Sequence, residues 1–484
     1  MRSKFEKFTL IACGAIIGVL ISLNLPVFAD KAEKNNLPVD ELRTFAEVFG
    51  KIKSDYVEPV EDKKLINEAL NGMLTGLDPH SSFLNTEDFK DLNQATQGEF
   101  GGLGIEVGME DGFVKVVSPI EDSPAYKAGL KSGDLIMKLD ETSTKGLTLN
   151  DSVKKMRGKP GTSIVLTVLR KGETKPLTFN LVRAIIKSQS VKGKLVEPNY
   201  AYVRVAQFQE HTGEDLAKLL KNLRQQNKTP LKGILLDLRN NPGGLLNAAV
   251  GVSAAFLPKG DLVVYTEGRA QDSKMHLTAV PGDYLKGGGK DDYLKDFPED
   301  IRTTPMAVLV NNGSASASEI VAGALQDHKR ALIVGMQSFG KGSVQSILPM
   351  NNGTAIKMTT ARYFTPKGRS IQAKGIVPDI IVDDGSDPSF MTKEADLTNH
   401  LSNPKDADTN VAPKDKDSKP LAPPIKKPEE EKKKTSDTPS GPIEPASKAD
   451  KQFQEAMNIL KIARQVSHGF QVSANRGARG PKHD

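Results

Sequence analysis

Cysteine is nearly missing: Cys13 is the single one in 484 residues, so no internal disulfide can form and stability must come from packing. Tryptophan is absent, and aromatic residues make up only 5% of the chain. Hydrophobic residues reach 38%, which is low for one compact globule and predicts a solvated stretch somewhere along the length. No charge of one sign dominates. The net +6 is mild over such a chain and argues against nucleic acid as the partner. Metal and cofactor sites are not expected. Histidine is scarce, with seven in all. What is present is more specific: a serine-rich turn, a glycine-flanked lysine, and length enough for two or three domains.

The N-terminus reads as an export segment. Arg2, Lys4 and Lys7 precede an uncharged run from Phe8 to Ala29 that ends in Val27-Phe28-Ala29. Residues 1–29 are therefore a cleaved signal peptide or a retained membrane anchor. Either places the rest of the chain outside the cytoplasm, in the periplasm or cell envelope. Residues 38–95 read as a helical region. Leu42, Phe45, Val48, Phe49 and Ile52 share one face, and Leu65, Ile66, Ala69, Leu70, Met73 and Leu74 form a second run. A helical pair packed into the core fits this pattern; an arm for a second copy also fits.

From 98 to 184 short strand-like runs alternate with glycine turns. Ser123-Pro124-Ala125 opens a short helix, and Leu149, Val153 and Met156 suit another. The whole segment resembles a PDZ domain. The resemblance implies that Gly102-Leu103-Gly104-Ile105 grips a peptide's C-terminal carboxylate through backbone N–H groups. The peptide would then add as a strand beside the helix bearing Val153.

Residues 185–385 read as an α/β core. Ile234-Leu235-Leu236, Met306 to Val310 and Ala331 to Gly335 show little polar alternation, as strands buried on both faces do. Helical sequence between them favours parallel strands. The loops after the three strands, Asn240 to Gly244, Asn311 to Ser316 and Met336 to Gly342, would then emerge together at the carboxyl edge of the sheet. From 386 to 448 the composition collapses into Pro, Lys, Asp, Glu, Ser and Thr, a solvated linker. Residues 449–470 hold a last helix, with Phe453, Ala456, Met457, Leu460 and Ala463 on one face. The tail 471–484 is basic.

Ser316 falls at the start of the helix that follows the second strand, where free N–H groups favour developing negative charge. Ser316-Ala317-Ser318-Glu319 equally fits a capping box. His328 lies twelve helical residues on, roughly 18 Å along the axis, and is out of reach as a base. Lys341 is then the remaining candidate base; a surface lysine or a phosphate binder also fits it. It must be neutral to act, which burial can achieve, and Gln345, four residues later, can accept a hydrogen bond from its amine. Gly340-Lys341-Gly342-Ser343 lacks the upstream glycine of a nucleotide-binding loop. An oxyanion would need N–H donors, for which Ala317 and Gly243 or Gly244 are candidates. A tight turn would also explain the glycines.

The chain resembles the C-terminal processing peptidases, also called tail-specific proteases. The likeness runs from about Leu37 to Asp384. Leu77-Asp78-Pro79-His80-Ser81, Leu236 to Asn241, Gly313 to Ile320, Ser338 to Gly342 and Gly375-Ile376-Val377-Pro378-Asp379 carry it. It implies Ser316 as nucleophile in preference to Ser314 and Ser318, Lys341 as base and Gln345 as its support. It also implies an α/β core akin to the crotonase superfamily with an inserted PDZ domain and flanking helical segments. The activity implied is endoproteolysis of exported protein substrates with exposed C-termini, with an envelope adaptor or homo-oligomerisation through terminal helices as partners. A PDZ scaffold with a dormant core is the competing reading. A crotonase-like acyl-CoA enzyme conflicts with export.

Overall fold

The computed structural model describes residues 37–120, 122–285, 291–385, 392–406 and 445–462. The export segment expected at 1–29, the tail 471–484 and Ala463 lie outside these. No described helix is long and apolar enough to cross a membrane. The chain divides into two compact units, the first ending at Ala69 and the second beginning at Leu70.

The first unit carries helix α1 (Val39–Asp55), and α2 (Asp62–Thr75) runs from it into the second. Asp40 and Glu41 open α1, and Lys53 lies in its last turn, each complementing the helix dipole. The apolar face is present, yet neither helix buries a residue, and Leu42, Phe45 and Val48 are each about half exposed. The expectation of core packing is corrected for this pair.

In the second unit β1 (Ser82–Leu84) leads to α3 (Thr86–Gln97), capped by the Asn85 side chain, which accepts from Glu87 N and Asp88 N. A ribbon of Glu99–Gly102 against Ala184–Lys187 then brackets a small sheet. That sheet has the order β2 (Ile105–Glu110), β3 (Phe113–Pro119), β4 (Leu135–Leu139), β5 (Ser163–Leu169), β6 (Leu177–Val182), all antiparallel. Helix α4 (Leu149–Met156), capped by Thr148, completes it. Its core gathers Val114, Val116, Ile136, Leu166 and Val168.

The larger sheet contains β7 (Val191–Glu197), β8 (Tyr200–Val205), β9 (Gly233–Asp237), β11 (Met306–Val310), β12 (Leu332–Gly335) and β15 (Ile380–Ile381), side by side in that order. Only the β7–β8 pair is antiparallel. Every residue of β9 and β11 is buried, because both faces are covered. On one face lie α5 (Thr212–Asn227), α6 (Leu246–Ala254) and α7 (Ala317–Asp327). Each fully buried Leu, Ile or Val there contributes about 1.5–3 kcal/mol. On the other face, Phe453, Ala456, Met457 and Leu460 of a helix at 451–462 cover Tyr202, Leu235 and Leu309. Asp450 anchors that helix, its carboxylate accepting from both terminal nitrogens of the buried Arg239 at 2.8 and 2.7 Å.

A second sheet joins β10 (Leu262–Gly268), β13 (Ser343–Pro349) and β14 (Ala355–Phe364), with β1 and a short strand His276–Thr278. One expectation fails by position. Residues 392–406, within the stretch read as solvated linker, are packed: Glu394 and Asn403 are buried, and Asn403 Nδ2 donates to Gln372 O. Composition missed this because two polar side chains, rather than an apolar face, hold the segment.

Candidate active site

The loops after β9, β11 and β12 meet at the carboxyl edge of the large sheet, as parallel pairing requires. Asn240 and Asn311 lock the first two. Asn311 Oδ1 accepts from Asn240 N at 2.9 Å, and Asn311 Nδ2 donates to Asn240 Oδ1 at 2.9 Å. Phe339 N donates to Ser314 O, which brings in the third loop. Both asparagines lie in loops that the sequence marks, but their pairing exists only after the strands align.

The three serines of the turn differ in what their hydroxyls do. Ser314 is buried and its Oγ donates to Leu238 O at 2.8 Å. Ser318 is buried and its Oγ donates to Asn241 O at 2.9 Å. Ser316 is half-buried and its hydroxyl is committed to no backbone carbonyl. It sits at the N-cap of α7 with φ 54° and ψ −114°, a backbone that costs a non-glycine residue about 1–3 kcal/mol. Strain of this kind aims a side chain outward from a turn.

Glu319 holds that turn. Its fully buried carboxylate accepts from Ser316 N (2.7 Å), Ser338 Oγ (2.6 Å), Gly340 N (2.7 Å) and Lys341 N (3.0 Å). Burial raises its pKa to about 7, against the pull of these donors. The capping-box reading of Glu319 is therefore half the story: the same group ties the serine turn to the lysine loop.

Lys341 Nζ donates to Gln345 Oε1 at 2.5 Å, and Gln345 Nε2 donates to Ser343 Oγ and Thr359 Oγ1. Burial and the Lys357 charge lower the Lys341 amine to about 8, while Glu394, Glu319 and Asp78 work in the opposite direction. No hydrogen bond joins the amine to Ser316 among the described residues. Tyr363, a residue the sequence did not flag, sits at the centre: its buried phenol donates to Lys341 O. Burial and the Glu319 charge push that phenol well above its ordinary pKa, and its contact with the Ser316 hydroxyl opposes them.

The backbone donors can be sorted as well. Ala317 N and Gly244 N have no acceptor among the described residues. Gly243 N is committed to Asn241 Oδ1 at 2.9 Å, so Gly243 is removed as a donor. Its lack of a Cβ matters in another way. With φ +100°, a Cβ there would come within 2.8 Å of Ser316 Cβ and 3.0 Å of Ala317 N. Gly244 approaches Phe208 O, where a Cβ would come to 2.1 Å.

His328 caps the far end of α7, where its Nε2 meets Leu262 O, well away from the serine. No cluster of metal-ligating side chains occurs among the described residues.

The sequence model described as peptidase family S41 matches residues 199–382, the segment that holds the serine turn, the lysine loop, Glu319 and Tyr363. A carboxy-terminal-processing protease of Bartonella bacilliformis is 46% identical over 401 residues, covering 81% of this chain and 88% of the relative. The chain belongs to peptidase family S41, among the carboxy-terminal-processing proteases. A second member, the carboxy-terminal processing protease CtpB of Bacillus subtilis, is 35% identical over 74% of this chain and 70% of its own length. A solved photosystem II D1 C-terminal processing protease is 30% identical, covering 70% of this chain and 86% of that one, with a TM-score of 0.39.

The other modules of this S41 peptidase match too: a PDZ domain at 101–181 and a CtpB-type N-terminal domain at 20–88. In the PDZ domain, Gly102, Leu103, Gly104, Ile105 and Val153 line one cavity of about 90 Å³ together with Phe100 and Met156. Gly104 has φ +74°, and a Cβ would strike Ser123 Cβ at 2.2 Å. The expected peptide-binding residues thus share one groove between β2 and α4.

Proposed function

We propose that this S41 peptidase cleaves by a Ser316/Lys341 dyad, through an acyl-enzyme, on protein substrates whose free C-termini its PDZ groove selects. The observation that carries the reading is the sorting of the turn. Ser316 alone of the three serines keeps its hydroxyl from a backbone carbonyl, and the adjoining Ala317 N is uncommitted, as is Gly244 N in the facing loop. The neutral amine of Lys341 takes the Ser316 proton as Oγ attacks the scissile carbonyl. The oxyanion is stabilised by Ala317 N and Gly244 N. The protonated amine then gives its proton to the leaving nitrogen, and water repeats the cycle on the ester. For this step the Lys341 amine leaves Gln345 Oε1 and accepts from Ser316 Oγ. With a pKa of about 8, roughly one amine in ten is neutral at pH 7.

A sheet with one antiparallel edge pair and helices on its faces supports the crotonase-like reading of the core. Export by the 1–29 segment, an envelope adaptor and self-association through terminal helices belong to the same proposal. The exposed apolar faces of α1 and α2 favour the last.

The test is a peptide assay. The full chain cuts a peptide ending in a free carboxylate, cuts its C-terminal amide at least tenfold more slowly, and loses both activities in Ser316→Ala and Lys341→Ala. Equal turnover by either variant removes the dyad; equal turnover of acid and amide removes C-terminal selection.

A further inference from the structure

The lysine loop is held on one side directly, and on the other through Gln372, by a residue that lies outside the matched peptidase segment of 199–382. Glu394 begins a 3-10 turn at Glu394–Asp396, and its side chain is only 1% exposed. Its backbone N donates to Phe339 O at 3.1 Å, two residues before Lys341. Its Oε1 accepts from Gln372 Nε2 at 2.9 Å, and Gln372 Oε1 accepts from Gly342 N at 3.0 Å, one residue after Lys341. The other carboxylate oxygen lies 2.8 Å from His80 Nε2, in the Leu77–Ser81 turn.

A buried carboxylate with polar partners on both oxygens is placed for a purpose beyond filling space, because an apolar residue would avoid the desolvation cost. Burial alone would raise the Glu394 pKa, but the bonds from His80 and Gln372 and the charges of His80 and Lys341 hold it below its ordinary value. The group is therefore anionic at neutral pH. The charged groups facing Lys341 are Lys357, Glu394, Glu319 and Asp78; those facing Glu394 are His80 and Lys341.

Building on the dyad reading, we propose that Glu394 is a positioning residue for Lys341. The segment 392–406 thereby completes the active site: it clamps the lysine loop at Phe339 and, through Gln372, at Gly342, and it brings to the amine a fixed negative charge that favours the protonated form.

The experiment follows covalent labelling of Ser316 by a fluorophosphonate probe as a function of pH, on the full chain. This readout needs no identified substrate and bypasses the PDZ groove. Glu394→Gln removes the charge; Glu394→Asp keeps it but shortens the reach to Gln372. In Glu394→Gln the acid limb moves to lower pH by about half a unit, so that labelling one unit below the wild-type midpoint rises about threefold relative to its plateau. In Glu394→Asp the limb stays and the plateau rate falls. Limbs superposable on wild type in both variants, whatever their plateaus, overturn the inference, because a merely structural group would lower the rate without moving the limb. Lys341→Ala separates the two claims. If it labels as fast as wild type, the dyad reading fails; if it does not label and the Glu394→Gln limb is unmoved, only the role of Glu394 fails.

Discussion

The carboxylate of Glu319 links the two halves of the active site, accepting from Ser316 N at 2.7 Å and, through the same oxygen, from Lys341 N at 3.0 Å. Ser316 and Lys341, the proposed nucleophile and base, lie 25 positions apart in the chain, and this one side chain ties their two loops together.

Glu319→Gln should therefore damage geometry before it damages charge. A single amide oxygen cannot serve four donors, and the NH2 group would face N–H groups that need acceptors. Each donor left unpaired costs about 1–3 kcal/mol. Probe labelling of Ser316 should fall about 100-fold, as expected when reacting groups are misplaced by about 1 Å. The midpoint of urea unfolding should fall with it.

The pH dependence of labelling reports Lys341. With the amine lowered to about 8, the rate should rise in one step centred near pH 8. Lys357 contributes to that lowering, since a like charge disfavours the protonated form. Lys357→Gln removes it, so the Lys341 pKa rises and the step moves to higher pH, opposite in sign to Glu394→Gln. A step that moves downwards would contradict the assignment.

Ser314→Ala and Ser318→Ala should lose stability and keep chemistry. Each removes a buried hydroxyl that donates to a carbonyl of the loop after β9. Denaturant unfolding should show a loss of about 1 kcal/mol for each, with Ser316 still labelled at a rate within a few-fold of wild type. Ser316→Ala reverses the pattern, with no labelling and little change in stability, because alanine keeps the Cβ that the positive φ strains and the lost hydroxyl donates to no backbone carbonyl.

Asp450→Ala should loosen the helix at 451–462. It leaves Arg239 buried with Asp237 as its remaining close carboxylate. Breaking one arm of a buried ion pair costs about 3 kcal/mol. Denaturation monitored by Tyr202, which contacts Phe453 edge-on at 5.9 Å, checks it.

Much of the site was legible because its parts are local. Ser316, Lys341 and Gln345 carry motif spacing, and Gly104 marks a turn that a Cβ at that position would disturb. The exclusion of His328 followed from helix geometry alone, and its bond to Leu262 O agrees with it. Gly243 shows the limit. Its sequence context suggests an oxyanion donor, but its N–H is spent on Asn241. Tyr363 and Glu394 gave no signal. One lies on an ordinary strand, and the other in a stretch whose composition reads as linker.

The order of hydrophobic runs and the glycine turns determined the parallel core and the PDZ module, and the serine and lysine motifs marked the candidate pair, because each depends on neighbours within a few residues. Which serine hydroxyl escapes a backbone carbonyl, which N–H groups remain unspent, and which distant carboxylates surround the lysine were decided only by tertiary structure. Those are questions of hydrogen-bond partners and desolvation, and both are set by whatever the folded chain brings alongside.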